Sequence, residues 1–275
     1  MELKQQKTIT VLVILLVVSL AVVSFFGAFY PLTYARNSAS MGAQGIGQDL
    51  VDLFFVVPVL LLSLFYSRKN SRIGLLVLAG TLFYIMYSFI IYAFGVHFNQ
   101  LFLLYCSTLG LSLFAFWILV IELNKNDIKS WFNNSTITKT IGVYFIVVAA
   151  MFYLLWFKDV VPALIHNTVP ATVSDYDLLV NPVHVIDIAF ALPGLIIVAV
   201  LLFKNHNLGY IFFAPVGLVF TIILTIALVG MVIMLKIKNV SDDTSVAGIF
   251  LFLSAISTVL LILFFKTLKN KTKEV

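Results

Sequence analysis

The sequence predicts an all-α integral membrane protein with eight transmembrane helices, built as two parallel four-helix repeats with both termini cytoplasmic. Three observations carry this reading. Apolar residues make up 62% of the chain and charged residues only 11%, well away from the balance of soluble domains. Basic residues are distributed unevenly about the apolar segments. One spacing of aspartate and proline occurs twice.

A helix crosses a ~30 Å hydrocarbon core in ~20 residues. Segments of that order run from Val11 to Phe29, Leu50 to Tyr66, Ile73 to Phe94, Leu101 to Ile121, Ile141 to Phe157, Val183 to Phe203, Tyr210 to Leu235 and Val246 to Phe265. The first exceeds a signal-peptide apolar region and lacks a small-residue cleavage site, so it reads as a signal anchor. The links are too short for a soluble domain. Gly42 to Gly47 lacks the lysine and hydroxyl residue of a phosphate loop and reads as a flexible outer loop.

Lys and Arg are retained on the cytoplasmic side. With the N-terminus inside, only Arg36, Lys158, Lys236 and Lys238 of the 17 basic residues fall outside. Both termini are then cytoplasmic. The net charge of +5 reflects topology and anionic headgroups, with no nucleic acid required. Cys106 is the single cysteine, which excludes an intramolecular disulfide and any multi-cysteine metal site.

Asp52 precedes Pro58 by the same interval as Asp187 precedes Pro193, and the two pairs are 135 residues apart. The same shift aligns Phe55 with Phe190, Leu60 with Leu195, Lys69 with Lys204, Asn70 with Asn205, Gly74 with Gly209 and Gly95 with Gly230. The pattern predicts a repeat over residues 1–123, a cytoplasmic linker over 124–140 and a second repeat over 141–275. Four crossings per unit make the repeats parallel. Pro58, Pro193 and Pro215 fall inside spans, where a missing N–H bends the helix. The expected result is a cavity between the second and sixth spans.

The 135 shift also matches Asp49-x-x-Asp52 with His184-x-x-Asp187 at outer helix ends. Residues three apart share a helix face. Asn181-Pro182 reads as an N-cap followed by proline at the first helical position, which puts Asp187 too deep to be a cap. An ionisable group at that depth faces a cavity or a partner. The candidate ligand-binding residues are Asp49, Asp52, His184 and Asp187, with His97 and Asn99 from the short outer turn between the third and fourth spans. Asp52, His184 and Asp187 form the candidate set for a divalent metal ion.

A structural polar network joining the halves is the competing reading. Tyr84, Tyr87, Tyr92 and Tyr105 recur at helical spacings and read as interhelical packing and hydrogen bonding.

The expected function is binding of a cation or small polar ligand in an outward-facing acidic and histidine pocket, as a sensor, accessory subunit or transport component. A secondary transporter and a metal-dependent intramembrane enzyme acting on lipid are the alternatives. No nucleotide or nucleophile motif is present, and no mid-span lysine could hold a retinal Schiff base. A partner membrane subunit or a second copy of the chain fits the same reading.

The run from Tyr92 to Asn99, with Leu101 to Tyr105, and the run from Asn181 through Asp187 to Pro193 resemble segments of a group of bacterial polytopic membrane proteins to which no activity is attached. The resemblance spans the second to seventh helices. It implies a bacterial cytoplasmic membrane and supplies no catalytic residue.

Overall fold

Helix α1 (Gln6–Phe29) opens the chain in the computed structural model, which describes residues 4–133, 136–211 and 215–269. Seven further helices follow: α2 (Ala39–Arg68), α3 (Arg72–Gly95), α4 (Phe102–Asn124), α5 (Ile137–His166), α6 (Pro182–Phe203), α7 (Gly217–Ile237) and α8 (Ser245–Phe265). All eight are long and apolar enough to cross a bilayer, which marks a polytopic membrane protein. Lys271 and Lys273, used in the charge argument, lie outside the described residues.

Alternating helices give the molecule two faces. The basic face gathers Lys4, Arg72, the α4–α5 link and the end of α8. There Lys129 N donates to Asn207 Oδ1 at 2.9 Å, Lys269 N to Trp131 O at 2.8 Å and Arg72 to Lys269 O at 3.2 Å. The opposite, acidic face holds the α1–α2, α3–α4 and α5–α6 links. His97 joins these by bonding to Arg36 O at 2.5 Å and Asp177 O at 3.1 Å.

Helix α3 is the centre of the bundle, with 78% of its core buried against 28–44% for the other seven. Those others turn Val18, Leu62, Leu103, Leu154, Ile197 and Phe252 outward, as lipid-facing surfaces do. Hydroxyl pairs join outer helices, with Ser19 to Thr108 between α1 and α4 and Tyr144 to Ser257 between α5 and α8, each at 2.7 Å. Such pairs average ~0.6 kcal/mol in membranes. Close backbone packing complements them.

Two sequence expectations need correction. Residues 42–47 belong to α2, which starts at the Ser38 cap, where the side chain accepts from Met41 N. Their glycines oppose helix formation in isolation, but a Cβ built at Gly47 would stand 2.5 Å from Gly230 O. The absence of a side chain lets α2 meet α7 backbone to backbone. Similarly, α5 continues past Phe157 to His166, so Lys158 and Asp159 are helical rather than in a loop.

Pro58 and Pro193 also differ from simple kinks. Each follows a widened π-turn, Asp52–Val56 or Asp187–Ala191, in which Val57 N bonds to Asp52 O and Leu192 N to Asp187 O, five residues back. The extra residue accommodates a ring that cannot donate to the carbonyl four residues earlier.

Other paired features share the 135 spacing. Asn70 and Asn205 end α2 and α6 with φ of 57° and 51°, a left-handed conformation that asparagine tolerates. Gly74 and Gly209 lie against the preceding helix ends at Ser67 and Leu202. The approach of Gly47 to Gly230, between α2 and α7, has its counterpart in Gly95 against Pro182, between α3 and α6.

Candidate functional site

Asp49, Asp52 and Asp187 are all buried, in the halves of α2 and α6 nearer the acidic face. None forms an ion pair with a basic side chain among the described residues. An unpaired carboxylate in a low-dielectric interior costs several kcal/mol unless donors replace its water. Aromatic side chains are those donors.

Tyr34 and Tyr92 donate to the two oxygens of Asp49, the latter at 3.0 Å. Tyr84 donates to Asp52 Oδ1 at 2.9 Å. Tyr87 donates to Asp187 Oδ1 at 2.7 Å, and Trp156 Nε1 to Oδ2 at 2.9 Å. Three of these five donors stand on α3, so it separates the acids of α2 from that of α6. Burial, reinforced by the Asp49 charge, raises the Tyr34 phenol well above its ordinary range. It therefore remains a donor.

Helix α1 closes over this cluster. A Cβ at Gly27 would overlap the Asp49 carboxylate. Asn99 extends the network by donating to Thr33 O at 3.0 Å and to the Tyr105 hydroxyl at 3.1 Å.

The histidines stand apart from the three acids. His184 packs on Trp156 with ring centroids 4.7 Å apart, and its Nε2 lies 3.8 Å from Asp159 Oδ2 and 3.4 Å from Thr172 Oγ1. His97 fastens two loops. The six candidate residues thus divide among separate settings, with Asp49 and Asp52 neighbouring each other. Among the described residues no three His, Cys, Asp or Glu side chains form a metal site. Among the described residues Asp52, His184 and Asp187 are not brought together as a metal set, because α3 stands between Asp52 and Asp187.

Open space lies along α6 instead. A cavity of about 620 Å³ between α3, α4, α6 and α7 is lined by apolar side chains and includes Tyr87, Phe190, Gly194 and Phe220. A second, of about 440 Å³, lies toward the acidic face with Thr168, Asn181 and His184 on its wall. Val185 and Ala189 line both.

Asn181 caps α6 as its sequence predicts, accepting from Val183 N at 2.9 Å. The sequence reading lacked Tyr34, Trp156 and Thr172 as polar partners. No motif marks a loop tyrosine or a half-buried tryptophan for that role, and only burial and proximity reveal it. Comparisons with protein-family models, curated proteins and solved structures find no match to this chain.

Removing a donor from Asp187 strands a buried acceptor, which costs about 1–3 kcal/mol. Tyr87→Phe and Trp156→Phe are each expected to destabilise the protein by that amount in reversible denaturation from mixed micelles. Tyr66→Phe, at an exposed ring, is expected to stay within about 0.5 kcal/mol.

Proposed function

We propose that this polytopic membrane protein binds an amphiphile along α6, with its polar end beside His184, Asn181 and Thr168 and its apolar chain in the cavity beneath. The adjoining cavities are the observation that carries this reading, because they share Val185 and Ala189 while differing in chemistry. From Asn181 to Leu195 the path is ~20 Å at 1.5 Å per residue. That length suits a lipid chain. Gly194, where an added Cβ would meet nothing within 4 Å, leaves the groove wall open.

This reading moves the ligand from the second–sixth helix interface to the two cavities along α6. It retains His184 and sets Asp187 behind the wall, where it holds the lining residue Tyr87. Asp49 and Asp52 are not ligand contacts in this account. Binding or presentation of a lipid-like molecule fits better than solute transport, which would need a polar route between the faces.

The paired π-turns, paired left-handed asparagines and reciprocal glycine contacts support two duplicated, parallel halves. The basic face is assigned to the cytoplasm from the distribution of Lys and Arg, and the bacterial cytoplasmic membrane is the proposed location.

Native mass spectrometry of protein released from lipid nanodiscs is expected to retain an amphiphile on the parent chain. Ala189→Trp with Gly194→Trp should reduce its occupancy several-fold without unfolding the protein. Equal occupancy in a folded double variant would place the molecule elsewhere.

Orientation and repeat direction can be tested together. Leu32→Cys and Leu179→Cys, in the link after the first helix of each half, should react with an impermeant thiol reagent from the same, external side of intact cells. Reaction from opposite sides would contradict parallel repeats, and reaction of both only from inside would reverse the orientation.

A further inference from the structure

Asp52 is set apart from the other buried aspartates by one unsatisfied oxygen. Both carboxylate oxygens of Asp49 accept from phenols, and those of Asp187 accept from a phenol and an indole. Among the described residues Asp52 accepts from Tyr84 through Oδ1 and has the Gln48 amide beside it, while its buried Oδ2 has no hydrogen-bond partner. Asp49 lies one turn earlier on the same helix, close enough for the charges to interact. Two adjacent buried carboxylates cannot both ionise without a counter-charge.

The groups facing Asp52 do not supply that charge. Helix α2 contributes Asp49 and Gln48, and α3 contributes Tyr84 and Tyr92. The charged residue of α1 is Lys7, at its opposite end, while that of α7 is Lys236, at the acidic-face end. Neither appears in an ion pair with Asp49 or Asp52.

We propose that Asp52 is a proton-binding site, carrying its proton on Oδ2 while Asp49 and Asp187 remain carboxylates. A metal ion would require several free oxygens, whereas this pair leaves one. A proton needs only that oxygen and an acceptor. Gln48, buried and beside Asp52, can present its amide oxygen after a half-turn of the terminal torsion. Proton uptake converts the carboxylate to a neutral acid, and no other bond changes.

The test is infrared spectroscopy of the full chain in lipid at neutral pH, in H2O and D2O. The parent protein is expected to show a protonated-carboxyl band that shifts on deuteration. The band is expected to disappear in Asp52→Asn and persist in Asp49→Asn and Asp187→Asn. Ordinary aspartates are ionised at this pH. Should Asp52→Asn fail to fold, Asp52→Glu is expected to shift the band frequency. Absence of the band in the parent protein, its survival in folded Asp52→Asn, or an unchanged frequency in Asp52→Glu would overturn the assignment.

Discussion

Three buried aspartates receive hydrogen bonds from aromatic side chains without a basic side chain paired to them among the described residues. This constraint organises the bundle. Phenols and an indole bring apolar bulk and one polar edge, so they can approach a carboxylate without carrying another charge into the bilayer. Because Tyr84, Tyr87 and Tyr92 all stand on α3, that helix must occupy the centre to meet Asp49 and Asp52 on one side and Asp187 on the other. Its burial follows from this chemistry together with the apolar contacts around it.

The backbone adapts to the same arrangement. The π-turns place Asp52 and Asp187 at the start of widened turns, immediately before the proline-containing helical segments. Glycine supplies the close contacts around them: Gly27 accommodates Asp49, while Gly47 and Gly230 bring α2 against α7. In the corresponding contact between α3 and α6, Gly95 receives Pro182. The proposed duplication would account for the spacing these features share. The two positions differ in their partners, since Asp187 accepts from Trp156 whereas Asp52 keeps a free oxygen.

Much of the architecture was legible because membrane crossing imposes a long apolar signal. Asp-Pro spacing, Asn70 with Asn205 and Gly74 with Gly209 also marked structurally paired positions. The sequence reading missed the helical character of residues 42–47 because local glycine content suggested a loop, whereas contact with Gly230 makes helix packing possible. It placed the candidate pocket between α2 and α6 because periodicity identifies faces without revealing which helix fills the space between them. The acids were recognisable from their burial depth, but their aromatic partners depend on three-dimensional proximity. Tyr34 and Trp156 show that limit most clearly.

The central claim is that aromatic donors, with a proton at Asp52, satisfy these acids in place of a bound metal or alkali cation. A ligand specific to the native state raises stability by RT ln(1 + [L]/Kd). The direct measurement is thermal unfolding in lipid nanodiscs at constant ionic strength, with Na+, K+, Mg2+, Ca2+, Mn2+ and Zn2+ exchanged in turn against an organic cation. The account predicts no saturable cation-dependent rise in Tm. A saturable rise that disappears in folded Asp52→Asn or Asp187→Asn would contradict it and establish a cation at the buried acids.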